Sequence, residues 1–186
     1  MGKVIFGLTM SLVGFINDQN GSVDSLYPDF EELHNMESLK EAIRTTGAVV
    51  MGRHSFEMGN PDAYADNYEF QVPIFVLTRN IPQKQPRQTE KLTFTFVTDG
   101  IESAISQAKA AAVDRDVTII GGASIAQQCI KAKLLDEIHI DIIPILLCKG
   151  LRLFENIGDQ PTQLEKINVL EGSVRTHLRF RVVKEK

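Results

Sequence analysis

The segments Ala48-Val-Val-Met-Gly-Arg-His-Ser-Phe-Glu57 and Val117-Thr-Ile-Ile-Gly-Gly-Ala-Ser-Ile-Ala-Gln-Gln128 decide how this chain is read. Each is an apolar, β-branched run that breaks at glycine and continues with helical periodicity. A strand that enters a helix through a glycine turn leaves several backbone N–H groups unpaired at one point. The helix dipole makes that point attractive to anions. Two such turns in one small domain suit a ligand with several phosphates, and a dinucleotide is the leading candidate.

Working outward, the strand and helix patterns alternate. Strands are predicted over Val4–Thr9, Ala48–Met51, Pro73–Leu77, Leu92–Val97, Val117–Ile120 and Glu137–Ile143. Helices are predicted over Ile101–Ala112 and Ala123–Leu135. Pro28 opens a further helix, along which Phe30, Leu33, Met36, Leu39 and Ile43 recur, and Gly47 stops it. Met10–Gly21 reads as a mobile loop with the apolar insert Gly14-Phe-Ile16, and residues 59–71 read as a polar, aromatic loop. Leu164–Leu170 and Val174–Val183 flank Glu171-Gly-Ser173 as an antiparallel hairpin. The middle strands are continuous apolar runs, as burial on both faces requires. The expected fold is therefore α/β: a mixed, mainly parallel sheet of about eight strands, helices on both faces and an antiparallel hairpin at one edge. No repeat or linker divides it, so residues 1–186 are read as a single domain.

Composition narrows the function classes. With 186 residues and 43% hydrophobic content, one domain can bury a sizeable core. A net charge of −4 and a pI of about 5.6 give no general attraction to nucleic acid or anionic lipid. The nearest basic cluster is Arg175, Arg179, Arg181, Lys184 and Lys186, three of which share one face of an apparent strand, and this predicts a solvated face. Cys129 and Cys148 lack metal-ligand spacing and read as reduced, partly buried thiols, which fits a cytoplasmic protein; no metal is expected. No apolar stretch has membrane-spanning length, and the first residues enter a strand with no signal-peptide pattern.

Two common phosphate loops are missing. The first strand is not followed by G-x-G-x-x-G, and neither glycine turn carries G-K-[S/T]. Instead, Gly52-Arg53-His54-Ser55 places a guanidinium, a ring N–H and a hydroxyl just past a strand. The next strand ends in Leu77, Thr78 and Arg79. In a parallel sheet the loops after strand C-termini share one edge, so these groups are expected to converge with the Gly121-Gly122 turn.

These residues resemble a known family. Met51-Gly-Arg-His-Ser-Phe-Glu57 is similar to the M-G-R-x-[S/T]-[W/F/Y]-E signature of the dihydrofolate reductase fold, and Ile119-Ile-Gly-Gly-Ala123 to its second glycine motif. Met10-Ser-Leu-Val-Gly-Phe-Ile16 resembles the M-S-L-D-G-[F/Y]-I-A opening of the branch that holds the C-terminal reductase domain of the riboflavin-biosynthesis deaminase/reductase. Leu134-Leu-Asp-Glu-Ile-His139, Ile143-Pro-Ile-Leu-Leu147 with Gly150, and Leu153-Phe154 extend the match over nearly the whole chain. The resemblance implies a dihydrofolate reductase-like three-layer sandwich and an NADPH-dependent reductase acting on a small nitrogen heterocycle or related carbonyl. A ribosylamino-pyrimidine and a folate or pterin are both options. The alternative is an NADP(H)-binding protein that has lost the chemistry. No zinc-deaminase H-x-E…C-x-x-C pattern accompanies the reductase motifs.

Residue by residue, the resemblance implies that Arg53, Arg79 and Thr78 meet the adenosine 2′-phosphate. His54 and Ser55 would donate to the pyrophosphate from one side, and Gly122, Ala123, Ser124 and Ile125 from the other. Gly14, Phe15 and Ile16 would cover the nicotinamide beside Leu8 and Thr9. It also implies a cis peptide between Gly121 and Gly122 and a homodimer formed through the C-terminal strands. Two departures stand out. Val13 occupies the position where the branch carries Asp. The active-site carboxylate of the folate enzymes has Asp29 and Glu32 as its nearest counterparts, and Asp29 is the candidate catalytic acid, with favourable charge at a helix N-terminus as its alternative role.

Overall fold

The computed structural model describes residues 2–184. Eight strands form one sheet: β1 (Val4–Ser11), β2 (Thr46–Gly52), β3 (Ile74–Leu77), β4 (Phe94–Val97), β5 (Asp116–Ile120), β6 (Glu137–Ile143), β7 (Leu164–Glu171) and β8 (Thr176–Val182). Their spatial order is β4-β3-β2-β5-β1-β6-β8-β7. The first five pairings across that order are parallel, and β6–β8 and β8–β7 are antiparallel. The mixed, mainly parallel sheet read from the sequence is the one that forms.

The central strands follow from their composition. Thr46 to Met51 are all buried, as a β-branched run covered on both faces must be. One face carries α5 (Ile101–Ala112) and α6 (Ala123–Lys131), whose Ala104, Ile105, Ala108, Ile125, Ala126 and Cys129 pack on Val4, Phe6, Val50 and Ile119. The opposite face carries α2 (Glu37–Thr45) and the short α3 (Arg53–Glu57) and α4 (Tyr64–Asn67). There Leu39, Ala42 and Ile43 meet Val49, Met51 and an aromatic group built from Phe56, Tyr64, Tyr68, Phe70 and Phe94. Each fully buried aliphatic or aromatic side chain contributes ~1.5–3 kcal/mol, so these two layers carry most of the stability.

Several local expectations change. Residues 59–71 are not plain loop, because Pro61–Ala63 forms a 3-10 turn that leads into α4 and seats the aromatic group. The helix expected from Pro28 to Gly47 is two pieces, α1 (Phe30–Leu33) and α2, separated at Met36, which is extended with ψ 132°. The break shifts the helical phase and leaves Phe30 55% exposed. Thr46, not Gly47, ends the second piece: its hydroxyl donates to the Ala42 carbonyl at 2.6 Å while its backbone turns extended. Gly47 serves packing instead, since a Cβ there would lie 2.9 Å from the Ala112 Cα of α5.

The segment after β1 is tied down rather than loose. Its Ser11 N–H donates to the Phe15 carbonyl at 2.8 Å, and Ile16 N–H and Leu153 N–H bond to Leu151 and to Gly14 across the neighbouring strand-like stretch. Phe15 is buried under the Arg152 guanidinium, 4.6 Å from the ring centroid. Among the cysteines, Cys129 is buried and Cys148 is exposed, and neither is in a disulfide. Burial pushes the Cys129 thiol up to about 12.

Candidate active site

The glycine turns meet at the C-terminal edge of the sheet. Met51 is in register with Ile120, and Gly52 with Leu77, so the chain leaves β2, β3 and β5 side by side. A Cβ built on Gly121 would lie 2.3 Å from the Ser55 Oγ, and one on Gly52 would lie 3.1 Å from Ile125 Cγ1. The two turns are thus in contact and make one joint cradle of backbone at this edge. Gly121 and Gly122 take φ +81° and +66°, which only glycine adopts freely. No cis peptide occurs among the described residues, so the Gly121–Gly122 link is trans, against expectation. Positive φ at both glycines redirects the amides without the ~3 kcal/mol that a cis bond costs. The turn enters α6, whose first-turn amides have no intrahelical acceptor.

The side chains around this cradle differ in readiness. Arg53 is half exposed and pairs with Glu57 at 2.8 Å, one turn along α3. Arg79 and His54 are exposed, and Ser124 is exposed with its Oγ accepting from Gln128 at 3.1 Å. Ala123 and Ile125 are buried and can offer only their backbone. Thr78 departs from expectation: it is buried, and its hydroxyl donates to the Asn80 carbonyl at 2.8 Å, closing a local turn.

Beside the cradle the sheet opens. Strand β1 pairs with β5 only as far as Gly7 with Ile120, yet continues along β6 to Ser11 with Ile143. Leu8 and Thr9 therefore stand at a crevice where two neighbouring strands part. Crevices of this kind at strand C-termini are where open α/β sheets hold ligands.

The opposite wall of the crevice was not legible beforehand. Asp29, just ahead of α1, is buried and does not cap that helix. Its carboxylate takes two hydrogen bonds from Arg175, one of them from Nε at 2.7 Å. The same guanidinium reaches Thr9 Oγ1 at 3.1 Å and Asp141 at 3.2 Å, and it lies over the Tyr27 ring. Asp141 in turn holds His177 Nδ1 at 2.6 Å. The Arg175 hydrogen bonds hold the Asp29 carboxyl below its ordinary range, although burial alone would raise it. Asp29 is therefore an ionised partner of Arg175 and not a free acid, and it stands at the N-terminus of α1, where a negative charge is favourable.

The C-terminal basic cluster divides accordingly. Arg175 has a fully buried side chain, Arg179 pairs with Glu41 of α2 at 3.0 Å, and Arg181 is exposed beside Glu165. Lys184 pairs with Asp136, and Lys186 lies outside the described residues. The solvated face read from this spacing holds for Arg181 but fails for Arg175. One signal pointed to the hidden wall. In Glu137-Ile-His-Ile-Asp-Ile-Ile143 polar residues alternate with apolar ones, unlike the uniform runs of β2 and β3, and Thr176-His-Leu-Arg-Phe-Arg181 repeats the alternation.

An eight-stranded sheet with its glycine turns and crevice on one edge defines a dihydrofolate reductase-like domain. The chain belongs to the RibD C-terminal domain family, whose pattern matches residues 2–178. It is 24% identical over 161 residues to the uncharacterized protein YwjB of Bacillus subtilis (strain 168), covering 85% of this chain and 86% of the relative. A protein from Shewanella sp. PV-4 assigned to riboflavin biosynthesis superposes with a TM-score of 0.77 at 23% identity, covering 98% of this chain and 99% of that one. Dihydrofolate reductase from Enterococcus faecalis, solved with NADP(H), gives a TM-score of 0.67 at 19% identity, with 98% of each chain covered. Among the described residues no helix is long and apolar enough to cross a membrane.

Proposed function

We propose that this protein is an NADPH-dependent reductase that passes hydride to a small nitrogen heterocycle or a related carbonyl. The observation that carries the reading is the contact between the two glycine turns, with Ser55 Oγ against the position a Gly121 side chain would fill. Two glycine turns held against each other, beside the first-turn amides of α6, suit a pyrophosphate. Family membership adds the class of reaction, because proteins of similar fold include a 5-amino-6-(5-phosphoribosylamino)uracil reductase and dihydrofolate reductase.

In this reading Arg53 and Arg79 meet the 2′-phosphate. His54 and Ser55 and the amides of Gly122, Ala123, Ser124 and Ile125 hold the pyrophosphate. Thr78 supports its turn rather than the ligand. Leu8, Thr9, Phe15 and Ile16 enclose the nicotinamide end and keep water from it. The bound nicotinamide would supply hydride, and an enclosed apolar wall holds donor and acceptor close. The rival reading, a cofactor-binding protein without chemistry, is favoured by one observation: Asp29 is already committed to Arg175.

The test is calorimetric binding of NADPH and NADH. Arg53→Ala and Arg79→Ala should each weaken NADPH by ~1.5–3 kcal/mol, roughly 10- to 100-fold, and more at low salt. NADH, which has no 2′-phosphate, should be held about as well as before. Equal losses for both cofactors would remove these arginines from the phosphate.

We also propose that the protein forms a homodimer through its C-terminal strands. All eight residues of β7 are exposed at the sheet edge, including Leu164, Ile167, Val169 and Leu170 at 40–44%. A long apolar edge is an aggregation hazard unless another strand or copy covers it. Light scattering at micromolar concentration should give twice the chain mass; a monomer would oppose the proposal.

A further inference from the structure

Reducing a C=N or C=O bond requires a proton as well as a hydride. Asp29 is a poor source of it, since its side chain is 1% exposed and its carboxylate is bonded by Arg175, a group that gives up no proton. The crevice has a second carboxylate. Asp141 stands opposite Thr9 in the β1–β6 register, where β1 has already parted from β5, and its side chain is 29% exposed. Its Oδ2 is 3.2 Å from Arg175 Nη1, and its Oδ1 is 2.6 Å from His177 Nδ1. The far edge of that imidazole, Nε2, faces Gly172 in the exposed turn of the β7–β8 hairpin.

Taking the reductase reading as its basis, we propose that Asp141 hands the proton to the acceptor, that His177 resupplies it, and that Arg175 is the positioning residue that fixes both carboxylates. The atoms balance as follows. Hydride leaves the reduced nicotinamide for the acceptor carbon, and the π pair of the C=N or C=O bond moves to nitrogen or oxygen. That atom takes a proton across Asp141, protonated His177 replaces it and becomes neutral, and solvent reprotonates the ring from the Gly172 side.

The charges facing the pair come from every neighbouring element. They are Asp29 just ahead of α1, Glu32 of α1 bonded to Ser173 in the hairpin turn, Glu41 of α2 bonded to Arg179 of β8, Glu137 bonded to His139 on β6, and Arg175 just ahead of β8. His139 is the other imidazole on this face, but it bonds Glu137 and stands beside Gly7, two residues back from the strand end. Burial lowers its proton affinity despite the Glu137 hydrogen bond. Arg175 is committed to two carboxylates and Arg179 pairs with Glu41, so the charges of this wall are largely balanced within it.

The experiment uses the intact protein with NADPH and a set of acceptors: dihydropterins and 6-ribosylaminopyrimidines, each of the latter with and without its phosphate. In Asp141→Asn the kcat on the fastest acceptor should fall about 100-fold or more, with NADP⁺ affinity within about two-fold of wild type. Asp141→Glu should restore part of the loss. In wild type the alkaline limb of the kcat–pH profile should share its midpoint with the His177 ring titration, read by NMR in the NADP⁺ complex, and His177→Gln should abolish that limb. An Asp141→Asn enzyme within about three-fold of wild type would overturn the proposal. So would an unchanged limb in His177→Gln, which tests the idea even if the Asp141 variants do not fold. NADP⁺ binding without turnover of any acceptor would also overturn it while leaving the cofactor site standing; no NADP⁺ binding at all would overturn the reductase reading beneath it.

Discussion

The two walls of the crevice are built on different principles. The side with the glycine turns is local: a strand, a glycine turn and a helix start, each written in a dozen consecutive residues and shaped mainly by backbone. The opposite wall is assembled from afar, with Asp29 and Arg175 separated by 146 positions and Thr9, Asp141 and His177 drawn in by strand register. Backbone cradles can be exposed and cheap, since turn and helix geometry alone produces them. A buried charge cluster exists only if every partner is present, because a charge left alone in the interior is costly.

That contrast can be broken most sharply at Arg175. Replacing it by Ala would strand Asp29 as a buried, uncompensated carboxylate, and urea unfolding at pH 7 should show a loss of about 3–5 kcal/mol. A variant that also carries Asp29→Asn should recover part of it, and no recovery would mean that the pair does not act as a unit. Acid provides a second view of the same bond. The folded Asp29 carboxyl is depressed relative to its ordinary value near 3.8, so its stabilising contribution is present above that pH and is lost as pH falls through the lower folded value. Asp136, bonded to Lys184 and to the Val4 amide, and Glu137, bonded to Lys3 and His139, are depressed as well against the upward pull of burial. Wild-type stability should therefore decline from about pH 4 downward. The decline should be shallower in Asp29→Asn, and an identical slope would remove Asp29 from the account.

The cofactor side should respond differently. Gly121→Ala would put a methyl 2.3 Å from Ser55 Oγ at a φ of +81°. We expect about 1–3 kcal/mol of destabilisation together with weaker NADPH binding, both read by thermal shift with and without cofactor. Adding Ser55→Gly should return stability without returning full affinity. If Gly121→Ala costs nothing in either measurement, the two turns are not in the contact described.

The smallest expected effect concerns the helix behind the cradle. Cys129 of α6 is buried, with its thiol pushed up to about 12, whereas Cys148 is exposed. Iodoacetamide at pH 8 should modify Cys148 alone in the native protein, with no change in cofactor binding. Rapid labelling of Cys129 would show that the α6 layer opens far more readily than its packing implies.

Much was legible beforehand because it depends on neighbours in sequence. The uniform apolar runs of β2, β3 and β5 demanded a sheet covered on both faces, and the glycines after β2 and β5 marked turns that the fold brings together at one edge. Where neighbours do not decide, the reading strayed. Thr78 looked like a free hydroxyl until its bond to Asn80 closed a turn. The single long helix split at Met36, where the backbone turns extended between the two pieces.

The sequence by itself determined the layered α/β architecture, the strand–glycine–helix turns and the family, since periodicity and turn chemistry act over a few residues. Only the tertiary structure decided that a nominally solvated arginine is the most buried charge in the site, and that the carboxylate read as an acid is its ionised partner. Spacing along a strand reports which face a residue shares with its neighbours. It does not report what lies above that face, and Arg175 is held in the interior by groups that only the folded sheet and α1 bring together.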